Sequence, residues 1–132
     1  MVQIKLYQPS QYFNHMIDRV FYIRVNEDGT KTPMMEFFPP QYNNLSHLGL
    51  DDFSKSKNVE QLLLKLKSTL LESLHFSFAS DDWCIVEVNG RNSIDSNGFS
   101  EFKPYEIETN FFIKLFEDWS AFLQKFEKGE II

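Results

Sequence analysis

Cysteine occurs once in this chain of 132 residues, at Cys84. A single thiol excludes an intrachain disulfide and fits a reducing compartment, where a lone cysteine ordinarily packs as a small hydrophobe. Histidine is sparse as well. His15, His47 and His75 stand apart, with no second histidine or cysteine three or four residues away and no HxxxH, CxxC or HxxE pattern, so neither a zinc site nor any other metal site is expected. The five glycines, Gly29, Gly49, Gly90, Gly98 and Gly129, never approach the GxGxxG or GxxxxGK spacing that cradles phosphates, which leaves nucleotide cofactors unsupported. Long apolar runs are missing too. The stretch Leu62 to Leu74 is interrupted by Lys65, Lys67, Ser68, Thr69, Glu72 and Ser73, far from the ~20 apolar residues that span a bilayer. The first ten residues carry neither the basic nor the apolar region of a secretory signal, so a cytoplasmic location is expected. No repeat or low-complexity tract divides the chain, and its length fits one domain over 1–132 with a core of its own.

Basic residues are outnumbered, with thirteen Lys and Arg against nineteen Asp and Glu. The excess is local. Between Asp81 and Asp118 stand Asp81, Asp82, Glu87, Asp95, Glu101, Glu106, Glu108, Glu117 and Asp118, opposed only by Arg91, Lys103 and Lys114, while the rest of the chain is balanced. Aromatic side chains fall in the same third: Trp83, Phe99, Phe102, Tyr105, Phe111, Phe112 and Phe116. Acidic and aromatic surface together fit docking to a basic partner, and the same charge excludes the basic stripe that direct nucleic-acid binding needs. Fourteen phenylalanines are also more than a small core readily absorbs, so some rings are expected at the surface.

Periodicity places the elements. Asn58 with Gln61 three residues on forms a capping box, and Val59, Leu62, Leu63, Leu66, Leu70 and Leu74 recur at spacings of three and four, predicting a helix from Asn58 to about Leu74. A second helix follows Thr109 on the stripe Phe111, Phe112, Leu115, Phe116, Trp119, Phe122, Leu123 and Phe126, with Gly129 at its stop. Phe21, Ile23 and Val25 alternate with polar residues, then Asp28-Gly29 marks a turn before Met34 to Phe38, a hairpin. A second pair is read from Trp83 to Val88 and Phe99 to Ile107 across a polar loop from Asn89 to Gly98, with Pro104 demoting the last strand to an edge. Val2 to Tyr7 is a further strand, Ser10 caps a short helix through Ile17, and Pro39 to Lys57 reads as a long loop with a helical turn. This order predicts an α+β domain, an antiparallel sheet with two main helices packed on it.

Catalytic vocabulary is thin. A Cys84–His75 pair with Asp81 or Asp82 would need an electropositive setting for its thiolate, and this neighbourhood is negative. The paired carboxylates Asp51-Asp52, Asp81-Asp82, Glu106 with Glu108, and Glu117-Asp118 lack the cleft that acid–base work needs, although Glu106 and Glu108, two apart, share one face of a strand. The chain is read as a binding protein, not an enzyme.

The run Asp81-Asp82-Trp83-Cys84-Ile85-Val86-Glu87-Val88 and the segment Thr109 to Leu123 resemble the strand and closing helix of the cytoplasmic immunity proteins that bacteria make beside polymorphic and contact-dependent growth-inhibition toxins. The resemblance implies neutralisation of a cognate toxin, frequently a nuclease with a basic substrate groove. Asp81, Asp82, Trp83, Asp95, Glu101 and Tyr105 are the residues expected to meet that partner. Two other readings stay open: an adaptor or regulatory subunit docking through the same patch, and a small-ligand domain whose surplus phenylalanines line a pocket.

Overall fold

Alternating apolar and polar residues build two antiparallel sheets in the computed structural model, which describes residues 3–7, 17–38, 40–81, 84–96 and 104–130. Gln3–Tyr7 (β1), Asp18–Val25 (β2) and Lys31–Phe38 (β3) form a three-stranded sheet in that order. His75–Asp81 (β4), Cys84–Asn89 (β5), Asn92–Ser96 (β6) and Tyr105–Glu108 (β7) form a four-stranded meander. The α+β class, the antiparallel pairing and the two main helices are as expected, with the strands shared between two sheets. The short helix expected from Ser10 falls on residues 10–16, outside the described set; Ile17 itself is buried.

The β2–β3 hairpin closes where the Asp-Gly signal places it. Gly29 takes φ +87°, a conformation natural to glycine, and Asn26 N–H donates to the Thr30 carbonyl at 2.8 Å. Asp28 accepts from both the Thr30 amide at 3.0 Å and the Thr30 hydroxyl at 2.6 Å.

The Phe-rich helix, Thr109–Glu127 (α2), is the centre of the molecule. Phe111, Phe112, Leu115, Phe116, Trp119, Phe122 and Leu123 are all essentially inaccessible. One side of the helix meets the three-stranded sheet, with Phe21 edge-on to Trp119 at 4.9 Å and Phe37 at 6.4 Å from Phe111. Another meets the four-stranded sheet, with Phe78 edge-on to Phe112 and Phe116, each at 5.9 Å. Edge-to-face pairs at such separations add to area burial. The helix ends as Gly129 predicts: Gly129 N–H donates to the Phe126 carbonyl and Glu130 N–H to the Lys125 carbonyl, the two bonds of a Schellman stop, with Gly129 at φ +74°. Among the described phenylalanines Phe38 is exposed and Phe53, Phe76, Phe78 and Phe126 are only partly buried, so some rings do reach the surface as composition predicts.

The other helix, Ser56–Glu72 (α1), lies antiparallel to α2 and begins earlier than the capping-box reading. Asn58 does not cap it; its side-chain amide donates to the Asp52 carbonyl at 2.8 Å. The cap comes instead from the far end of α2, where Glu127 accepts from the Ser56 amide at 3.0 Å and the Ser56 hydroxyl at 2.6 Å. A carboxylate at that position also suits the positive end of the helix dipole. Gln124 bonded to Glu60 at 2.7 Å and Lys67 paired with Glu117 at 3.2 Å continue the antiparallel seam. Leu74 lies beyond the helix and is half exposed.

Between β3 and α1 the expected loop is wound into 3-10 turns at Pro40–Gly49 and Asp51–Ser54. Leu45 and Leu48 anchor the first in the core, and Trp119 Nε1–H anchors the second by donating to the Phe53 carbonyl at 2.7 Å. Gly49 lets the backbone pass against that indole: a Cβ there would sit 3.0 Å from Trp119 Cζ2 and 3.1 Å from Met35 Cε.

Two outcomes are expected. Gly49→Ala costs about 1–3 kcal/mol through overpacking, read as a lower urea midpoint at unchanged slope. The hydrogen bonds from the Thr30 side chain, then from its backbone, hold the Asp28 carboxyl below its ordinary value. Because the folded value is the depressed one, the turn's contribution is complete at neutral pH and is lost as pH falls through that lowered value. An NMR titration should show the depression in the native chain and a smaller one in Thr30→Val, which keeps the backbone hydrogen bond and loses the hydroxyl.

Candidate partner-binding surface

Each strand of the four-stranded sheet turns alternate residues inward and outward, and the two faces differ sharply. Val86, Val88, Ser93, Asp95 and Ile107 are buried on the side facing the helices. Register lines Ser77, Glu87, Ile94 and Glu106 in one row on the opposite side, with His75, Asn89, Asn92 and Glu108 in the next. Glu87, Glu106 and Glu108 are exposed. Strand spacing puts Glu87 and Glu106 roughly 10 Å apart and the pleat puts Glu106 and Glu108 roughly 7 Å apart. The sequences of β4 to β7 contain no lysine or arginine, whereas β1 to β3 carry Lys5, Arg19, Arg24 and Lys31. The outer face of this sheet is therefore an acidic plane with Ile85 and Ile94 half-buried within it.

The expected partner residues distribute differently. Asp95 does not face outward. It is inaccessible, and its Oδ1 accepts from the Asn44 side chain at 2.9 Å and from the Cys84 thiol at 3.3 Å. The carboxylate thus ties the first 3-10 stretch to the inner face of the sheet. Cys84 is itself fully buried, the packing expected of a lone thiol. Asp82, Trp83 and Glu101 lie outside the described residues. Asp81 ends β4, where the register shifts between Ala79 and Asp81, and Tyr105 begins β7 opposite Asp95. The span Asn89 to Gly98, expected as a loop, contains strand β6.

Two further acidic residues of the sequence cluster are also engaged internally. Asp118 pairs with Arg19, whose side chain is only 2% exposed, and with Lys114 one turn earlier at 3.4 Å. Glu117 pairs with Lys67 on α1. A guanidinium buried to that degree requires a carboxylate beside it, because desolvation of an unmatched charge costs several kcal/mol. The cluster therefore divides: Asp95 and Asp118 hold the fold, Glu117 sits in an exposed pair with Lys67 that contributes little, and Glu87, Glu106 and Glu108 face solvent. The one sequence signal for the second group is the spacing of Glu106 and Glu108.

Near the free edge of this sheet, a groove of about 420 Å³ runs between β4 and α1, lined by Phe53, Leu62, Lys65, Phe76 and Phe78 among others. Among the described residues no three His, Cys, Asp or Glu side chains converge as a metal site, and no helix is long and apolar enough to cross a membrane. Comparison with protein-family models, curated proteins and solved structures finds no match.

The division of the acidic residues is open to measurement by chemical denaturation. Asp118→Ala should cost about 3 kcal/mol or more and Asp95→Ala about 1–3 kcal/mol, whereas Glu106→Ala should stay within about 0.5 kcal/mol.

Proposed function

We propose that this protein is an immunity-type inhibitor, which binds and neutralises a cognate toxin domain in the bacterial cytoplasm through the outer face of β4 to β7. The observation that carries this reading is the group of exposed carboxylates, Glu87, Glu106 and Glu108, on a sheet whose strands have no lysine or arginine. A nuclease groove that attracts phosphates attracts such a plane equally, and charge complementarity of this kind raises encounter rates and selects the partner. Ile85 and Ile94 supply apolar contact between the charges, where tight interfaces are desolvated. Rigid strand backbones position the carboxylates, so little ordering is required on binding. Asp95 has no part in contact; it holds the sheet to the 3-10 stretch behind it. The resemblance of the Asp81–Val88 and Thr109–Leu123 segments to immunity proteins points the same way.

Co-expression with the product of the adjacent upstream gene tests the reading. Cells making that protein should survive only with this chain present, and the two should co-purify. The triple substitution Glu87→Lys, Glu106→Lys and Glu108→Lys should weaken the complex on the order of a hundredfold, mostly in association rate, and flatten its salt dependence. Undiminished rescue and affinity in the triple variant would reject the outer sheet face.

A further inference from the structure

The four strands at the margins of the two sheets are not alike. Natural proteins protect sheet edges with lysine, proline or charge, because an open edge recruits other chains. β1 carries Lys5; β3 carries Lys31, Pro33 and Glu36; β7 follows Pro104 and carries Glu106 and Glu108. β4, His-Phe-Ser-Phe-Ala-Ser-Asp, has neither proline nor lysine and no charge between His75 and Asp81. Among the described residues no strand pairs with its outer side, and no loop or helix there makes a backbone hydrogen bond to it.

Hydrogen-bond phase settles which groups that edge offers. Gly90 N–H donates to the Leu74 carbonyl at 3.1 Å, so the pair next to His75 and Asn89 is a hydrogen-bonded one. Pairs alternate along an antiparallel ladder; Phe76 and Phe78 therefore bond to β5, and His75 and Ser77 direct their N–H and C=O groups away from it. Beside that edge lies the groove. Phe76, Phe78, Leu62 and Phe53 line it, and its volume is about 420 Å³, within the range of ligand clefts. Lys65 Nζ stands 4.7 Å from the Phe76 ring centroid, in no ion pair among the described residues, and Asp52 also lines the groove.

We infer that β4 is a docking edge for an extended segment of another protein, which adds as a strand along Ser77 and lays alternate apolar side chains into the groove. Such a segment places a carboxylate toward Lys65 and a basic group toward Asp52. An extended chain is the one ligand that satisfies alternating N–H and C=O groups in register, while the pockets beside them select its side chains. The inference is independent of the acidic outer face, since it rests on the edge and the groove alone.

A library of random dodecapeptides displayed on phage, selected on the immobilised full chain, provides the probe. Enriched peptides should alternate apolar residues and carry an acidic residue, and when synthesised they should shift the amide resonances of His75 to Phe78 and of Asn58 to Lys65. Ser77→Pro deletes an outward N–H without touching the β4–β5 ladder, a substitution that edge strands tolerate. It should weaken binding on the order of tenfold or more, with Ser77→Ala unaffected. Lys65→Glu, on the exposed side of α1, should turn selection away from acidic peptides whether or not the proline variant folds. Absence of enriched peptides, resonance shifts elsewhere, or equal affinity in Ser77→Pro overturns the inference. So does dimerisation of the unliganded chain that Ser77→Pro abolishes, which would give the edge to a second copy.

Discussion

Burial of α2 is the constraint on which the other elements depend. Its rings are shared between two sheets that do not pair with each other among the described residues: Trp119 and Phe111 reach Phe21 and Phe37, while Phe112 and Phe116 reach Phe78. Each buried aromatic contributes about 1.5–3 kcal/mol before the entropy of ordering is set against it, so the stripe suffices only when both sheets close on it. The remaining parts answer to that requirement. The 3-10 stretches bridge β3 and the four-stranded sheet, held by Leu45 and Leu48, by the Trp119–Phe53 bond and by Asp95, and α1 is capped by the last turn of α2.

Interior charge follows from the same closure. Arg19 lies on β2 at the edge of the aromatic core, 5.7 Å from the Phe21 ring, where water is excluded on the helix side; the adjacent position on α2 is accordingly an aspartate. Charges in such places are matched within the fold, and only those on surfaces without a covering element remain for a partner. Local excess in the sequence counted both kinds together. What separates them is whether the strand or helix bearing each residue turns it toward another element of the fold, as with Asp95 toward the first 3-10 stretch and Asp118 toward β2, or toward solvent, as with Glu87.

Legibility in the sequence tracked the completeness of local signals. The α2 stripe, its Gly129 stop and the Asp-Gly hairpin each carry periodicity and termination in one contiguous segment, and each appears where expected. α1 was readable as a helix, but its start was not, because the cap is Glu127 from 71 residues away. β4 follows directly on a leucine-rich helix and alternates phenylalanine with serine and alanine, a weak strand signal. β6 was hidden for a physical reason: its inward positions are Ser93 and Asp95, polar groups hydrogen-bonded to Thr109 and Asn44. A strand whose buried side is polar has no hydrophobic alternation to read. The burial of Asp95 was illegible with it, and so was the outward row, which needs register across β5, β6 and β7.

Register also connects the acidic face to the open edge. Ser77 pairs with Glu87 and turns its side chain to the same outer face, while its backbone N–H and C=O point to the edge. A strand added there would lie roughly 5 Å beyond β4 and roughly 10 Å from β5, which leaves its outward side chain opposite Ser77 a little more than the roughly 8 Å Debye length from Glu87 at physiological salt, so that their attraction is attenuated but not abolished. Basic residues on that outward side would be drawn to Glu87, and apolar ones on the other would enter the groove over Phe76 and Phe78. One amphipathic strand, basic on one face and apolar on the other, thus satisfies both surfaces. The two features need not imply two partners, because the pleat of a single added strand presents both chemistries at the correct period of two.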